Sequence, residues 1–218
     1  MIKVIYSGID LKKVEEEVSK AFDFVYKTFL IKTTNITVRV YNNRLDFNKF
    51  LNRQTESWLV ANTSDNNEID ILSPTAMQNE SSHSKNEFLP ILKHEFTHLF
   101  IDNLAKGRSI PMWLNEGFAA YIAKQYQKKV EPVYLEDNFC KKLDTQRGWN
   151  ENVNFGAYTI SALFVNFLIR KYSLAKIKQL ISSLDKHYYY DNFENIFFKV
   201  YKKTLKDTEK EFILEINK

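Results

Sequence analysis

Cysteine occurs once, at Cys140, so no disulfide can close within the chain, and a lone thiol fits a reducing compartment. Glycine (5) and proline (4) are nearly as scarce for 218 residues, which favours helix over an all-β fold built on many tight turns. No stretch approaches the ~20 apolar residues that a membrane span needs. The short apolar opening "MIKVIY" is soon interrupted by Asp10 and "KKVEEE", which leaves no signal-peptide core. Charge of one sign is also missing: 31 basic and 27 acidic residues, interspersed, give a net +4. That balance argues against a nucleic-acid or membrane partner, and the basic run "KVYKKTLK" reads as a solvated helix face. The chain is otherwise well supplied for a folded core, with 44% hydrophobic and 15% aromatic residues. A cytoplasmic globular protein is the expectation; nothing in the sequence fixes an oligomeric state.

The front of the chain mixes strands and helices. "MIKVIY" is a short strand, and Leu11, Val14, Val18, Ala21, Phe22, Val25 and Phe29 recur with helical spacing behind Asp10, a candidate cap. "NITVRVY" alternates as a half-buried strand. A short helix is expected around "DFNKFLNRQ", then strands at "SWLVANT" and "EIDILSP" joined by the turn-rich "SDNN". "QNESSHSKN" reads as a loop. Beyond it the patterns predict helices only: 87–105, 112–128, 135–143, 155–172, 174–184, a piece near 193–201 and one ending near 216. The fold class expected is α+β, a small mixed N-terminal sheet with helices followed by a mostly helical part. One domain over 1–218 is expected, with an α/β portion over 1–106 and a helical portion over 107–218.

At the junction stands "KHEFTHLF", residues 93–100. On a helix His94 and His98 lie one turn apart on one face, where both imidazoles reach a single ion, and Glu95 lies to the side, within reach of water at that ion. Two histidines with a glutamate after the first are the ligand pair and general base of zinc hydrolases. At this chain's His and Glu frequencies the pattern arises by chance in roughly one such sequence in two hundred. Phe88, Leu89, Ile91, Leu92, Phe96, Leu99, Phe100, Ile101 and Leu104 make the helix apolar nearly all round. Burying two imidazoles and a carboxylate there is costly unless something satisfies them, and a metal does so directly. The competing reading is a pair of hydrogen-bonded core histidines.

A catalytic zinc takes three protein ligands and keeps one position open. Cys140 stands alone, and His83 and His187 lie in a polar loop and far along the chain. The carboxylate candidate is Glu116 in "PMWLNEGFAAYIAK", on a stripe with Ala119, Ala120 and Ala123. Those small residues allow a helix to approach another backbone closely.

HEFTH, followed 18 positions after His98 by the Glu of "WLNEGFAAY", resembles the gluzincin peptidases of the peptidase MA-like group, related to the M1 aminopeptidases. The two matching blocks cover residues 93–124. The resemblance implies a zincin-like fold with the active-site helix at the junction, zinc held by His94, His98 and Glu116, and Glu95 as general base. It also implies a peptide or protein substrate. "FGAYTISALFVNFLIRKYS" resembles the helix that in this group carries a tyrosine donating to the oxyanion, which would be Tyr158. Tyr158 is equally a packed core tyrosine on the stripe with Ala162, Val165 and Ile169. This chain departs from the pattern in three ways. It has no Gly-Ala-Met-Glu-Asn segment to hold a free amino terminus, which favours endopeptidase over aminopeptidase. Ala120 stands where thermolysin-like enzymes carry an Asp, leaving Asp102 as a substitute for orienting the histidines. Ile101 stands where the extended motif has Gly. The expected function is zinc-dependent peptide hydrolysis, with an extended substrate lying against the strand Glu68–Leu72. The alternative is an inactive zincin-like scaffold that binds zinc and a peptide or protein partner.

Overall fold

The computed structural model describes residues 2–6, 8, 10–33, 35–64, 67–127, 130, 138–186 and 189–217. His187, set aside as a ligand, and residues 128 and 135–137 of two expected helices lie outside them. The chain divides into two compact units, Met1–Phe100 and Ile101–Lys218.

The first unit is α+β. Its sheet comprises β1 (Ile2–Ile5), β2 (Ile36–Tyr41), β3 (Ala61–Ser64) and β4 (Glu68–Leu72) in the order β1-β2-β4-β3. β1, β2 and β4 run parallel, and β3 pairs antiparallel with β4. The expected sheet edge at Glu68–Leu72 is therefore corrected: β4 is hydrogen-bonded on both sides, and among the described residues β1 and β3 are the edge strands. Burial on both faces explains why Ile69, Asp70, Ile71 and Leu72 are all at most 1% exposed.

Alternation along the strands separates two faces. Val38 and Val40 of β2 share one face with Ile69 and Ile71 of β4, all buried. Arg39 and Tyr41 share the other with Glu68 and Asp70, and helix α2 (Arg44–Leu51) covers it. There Arg39 donates to both oxygens of Glu68 (2.9 and 2.5 Å), and Tyr41 donates to Asp70 Oδ1 at 2.8 Å. Burial pushes the Asp70 carboxyl up, opposed by the Tyr41 hydrogen bond and the Arg39 charge, while the Arg39 hydrogen bond draws Glu68 down.

Helix α1 (Leu11–Phe29) buries Val14, Val18, Ala21, Val25 and Phe29, the stripe its spacing predicts. Asp10 does sit at its N-cap, but with φ −95° and ψ 32° its side chain makes no capping bond. "QNESSHSKN" is only partly loop. Ser73 caps a short helix α3 (Pro74–Glu80), with Pro at a position where its missing N–H costs nothing, and a 3-10 turn follows at Lys85–Glu87. Helix α4 (Phe88–Ala105) comes next, and the division between the units falls within it.

In the second unit the described residues outside α4 form helices α5 (Met112–Ala123), α6 (Phe139–Lys142), α7 (Gln146–Asn152), α8 (Ala157–Tyr172), α9 (Leu174–Ser182), α10 (Tyr190–Tyr201) and α11 (Leu205–Ile216). α7 falls in a stretch where the sequence predicts no helix. α5 ends earlier than its pattern predicts, because Lys124 adopts the left-handed conformation and the Gln125 N–H turns back to the Ala120 carbonyl. α5 packs along α8, and Trp113, Phe139, Phe164, Phe167 and Phe212 form one aromatic cluster. Among the described residues no single helix is long and apolar enough to cross a membrane.

Cys140 is fully buried in α6, and its backbone N–H donates to Glu209 Oε1 at 2.8 Å. Burial, with the Glu209 carboxylate adding to it, pushes the thiol well above its ordinary range. A protonated, enclosed thiol is a poor nucleophile. Ellman's reagent should therefore find no reactive thiol in the native protein near neutral pH and one per chain after unfolding in guanidinium. Rapid labelling of the native state would contradict this packing.

Candidate metal centre

α4 is fixed before it reaches its histidines. Ser84 and Glu87 form a reciprocal capping box, in which the Ser84 N–H donates to Glu87 Oε1 at 2.8 Å. The second Glu87 oxygen lies 2.8 Å from His83 Nδ1, and His83 Nε2 lies 3.0 Å from the Trp58 carbonyl. His83 thus ties the segment leading into β3 to the entry of α4. Its ring nitrogens are engaged there.

Packing then sets the roll of the helix. Phe88, Leu92, Phe96 and Phe100 are fully buried. Phe22 of α1 meets the Phe96 ring edge-on at 5.6 Å, and Phe29 meets Phe100 at 5.4 Å. Rotating α4 would expose these rings, each worth about 1.5–3 kcal/mol in buried apolar surface. With the roll held, His94, Glu95 and His98 are half-buried. The two imidazoles lie side by side, with ring centroids 4.7 Å apart and planes at 73°.

Glu95 meets the sheet. Thr63 of β3 donates its hydroxyl to Glu95 Oε2 at 2.5 Å. Thr63 pairs with Ile69 and so lies on the sheet face of Val38 and Ile69, opposite the Arg39 network.

Glu116 is placed by the start of α5. The first turn of a helix has N–H groups without helical partners. Here Met112 donates to the Asp144 carbonyl (2.9 Å) and Trp113 to the Leu143 carbonyl (3.0 Å). Trp113, Leu114 and Phe118 are fully buried, and Glu116 is half-buried. The stripe Ala119, Ala120 and Ala123 is buried, as its small residues predict, and Gly117 also lies close against α8. A Cβ at Gly117 would stand 2.7 Å from the Ser161 backbone carbon and 2.8 Å from its carbonyl oxygen.

One ligand atom each from His94, His98 and Glu116 lie within 4.8 Å of one another. Tetrahedral zinc with bonds near 2.0–2.1 Å sets its donors roughly 3.3 Å apart, a spacing inside that limit. Two imidazoles and one carboxylate are also a donor set zinc accepts. The residues present fit the ion.

Tyr158 lies in the first turn of α8, half-buried, its ring edge-on to Trp149 at 4.9 Å. Asp102 is exposed one turn beyond His98, and Ala120 is fully buried. Thr63 has no metal-ligand or catalytic spacing. Its only sequence signal is the alternation of "ANTS", too polar and short to say which face turns inward. No family model matches the chain, and no curated protein matches it in sequence.

Gly117 generates a test. The atoms that an added methyl would meet are the Ser161 backbone carbon and oxygen and its Cβ, none of which can swing aside, so α5 must move against α8. Gly117→Ala should lower stability by about 1–3 kcal/mol in urea unfolding. It should also weaken zinc binding by about 10-fold with every ligand intact. Wild-type zinc affinity in this variant would mean that α5 relaxes without displacing Glu116.

Proposed function

We propose that this chain is a zinc-dependent peptidase of the zincin type, with His94, His98 and Glu116 holding the ion and Glu95 acting as general base. The observation that carries the proposal is the convergence of those three ligand atoms within 4.8 Å, with Glu95 next to His94 on the same helix. When bound, zinc supplies Lewis acidity, acidifying water and polarising a carbonyl oxygen.

The chain's own residues do the rest. Glu95 takes a proton from the attacking water and delivers it to the leaving amine, so one carboxylate serves as base and then acid. β3 offers an extended substrate its free edge. The Leu72 N–H donates to the Val60 carbonyl, so the alternation of an antiparallel ladder turns the backbone groups of Asn62 toward β4 and those of Ala61 and Thr63 away from it. A peptide adding to that edge is bound through its backbone, largely regardless of sequence. Tyr158 is the proposed hydroxyl donor to the developing oxyanion. The lack of a segment to hold a free amino terminus favours internal cleavage. A cytoplasmic setting suits a chain whose one thiol is buried and unpaired with another cysteine.

Elemental analysis and peptide cleavage test the reading together. Wild type should carry about one zinc per chain, and His94→Ala, His98→Ala and Glu116→Ala should each lose it. Glu95→Gln should keep the zinc while turnover falls roughly 10²- to 10⁴-fold. A Glu95→Gln protein that cleaves at the wild-type rate would sink the assignment. Tyr158→Phe separates the two readings of that residue. An oxyanion donor implies a fall in kcat of about 10²-fold at unchanged zinc content, whereas unchanged kcat makes it a packing tyrosine.

A further inference from the structure

We infer that Thr63 is a positioning residue that holds the carboxylate of Glu95 in its working orientation; the inference rests on the peptidase reading above. A glutamate side chain has three rotatable bonds, and Glu95 is half-buried beside the imidazole pair. A general base has to present one oxygen to one proton within about 2.6–3.2 Å, so free rotation of the carboxylate is a direct loss of rate. The Thr63 hydroxyl fixes Oε2 at 2.5 Å and leaves Oε1 to take the proton.

The donor is itself held. Threonine is β-branched, and its χ1 is restricted in a strand. Its backbone is paired with Ile69 of β4, whose own side chain is fully buried. A hydroxyl on a rigid strand is a better fixed point than one on a loop.

The location has a second consequence. By the alternation in β3, the Thr63 backbone N–H and C=O face the free edge, while its side chain reaches Glu95. A peptide paired to β3 would be in register with the residue that orients the base. The scissile carbonyl and the base then share one reference point in the sheet.

The alternative is that Thr63 only satisfies a half-buried carboxylate and ties α4 to the sheet. That role predicts lost stability and unchanged chemistry. Thr63→Val keeps the shape and strand preference and removes the hydroxyl, and Thr63→Ser keeps the hydroxyl. Each variant, and each combined with Glu95→Gln, would be loaded with zinc and titrated by calorimetry with acetohydroxamate. This probe chelates zinc and donates its remaining proton to a neighbouring carboxylate. Cleavage of a mixed peptide library would be followed in parallel.

The expected result is kcat lowered about 10- to 100-fold in Thr63→Val with KM and zinc content unchanged, and recovery in Thr63→Ser to within about 3-fold. Acetohydroxamate should bind about 5- to 10-fold more weakly to Thr63→Val, with no further loss when Glu95→Gln is already present. Unchanged kcat and hydroxamate affinity in a folded Thr63→Val protein would overturn the inference and leave the peptidase reading standing. If wild type holds zinc yet cleaves nothing, the peptidase reading fails, and the hydroxamate cycle alone decides whether Thr63 orients Glu95. Falls in kcat and hydroxamate affinity in Thr63→Ser as large as those in Thr63→Val would reduce the contact to packing and overturn the positioning role.

Discussion

Two imidazoles one turn apart can meet a single ion only if the helix between them neither rotates nor bends, and the fixed roll of α4 is the constraint on which the proposed centre depends. Phe88, Phe96 and Phe100, three buried phenylalanines along the helix, with buried Leu92 and packed in part against Phe22 and Phe29 of α1, supply it. Their apolar burial, at about 1.5–3 kcal/mol for each side chain, is of the size needed to offset the cost of seating polar side chains on such a helix. The apolar residues can therefore dictate orientation while His94, Glu95 and His98 are carried where the roll puts them. The capping box at Ser84 and Glu87 and the His83 tie fix the start of the same helix.

The proposed third donor depends on a different device. Glu116 sits on a helix whose first N–H groups are held by the Leu143 and Asp144 carbonyls and whose Gly117 lies against the Ser161 backbone. Capping fixes where α5 begins, and the missing Cβ fixes how close it comes to α8. With buried Trp113 and Phe118 on either side, the carboxylate has little freedom beyond its own rotamers. In "WLNEGFA" the glycine is thus as much a placement device as the flanking aromatics.

Much of this was legible in the sequence, and the reasons for the failures are physical. The i, i+4 histidines and the apolar stripe of α1 are local patterns, and local periodicity survives folding. The stripe of alanines around Glu116 predicted close packing; all three are buried, and Gly117 beside them lies against the Ser161 backbone. Which strand forms the edge of the sheet was not legible. Pairing order is non-local, and "EIDIL" carries Glu and Asp that read as solvent-facing until Arg39 and Tyr41 are seen to satisfy them. α3 was hidden because "PTAMQNE" is polar and follows a proline that reads as a breaker, although Pro at a helix start is favourable. Asp10 stands at the right position for a cap but with backbone angles outside the extended region that capping side chains need. Thr63 escaped because a positioning hydroxyl has no spacing rule: its role exists only once β3 and α4 are brought together.

The two faces of the sheet show why a polar contact on one side reads as structural and on the other as poised for chemistry. On the α2 face, Arg39 satisfies both oxygens of Glu68, Tyr41 satisfies Asp70, and the Arg39 guanidinium lies over the Phe50 ring. Donors and acceptors there are matched, the charges balance in part, and the cluster gains most by staying closed. On the α4 face one neutral hydroxyl meets one oxygen of Glu95. A carboxylate accepts about four hydrogen bonds, so a single neutral donor orients it without neutralising it. An anchored, half-buried carboxylate with an oxygen left over, next to two imidazoles, has the direction that the proposed proton transfer from water requires. A purely structural glutamate at this position would be better served by an arginine, as Glu68 is.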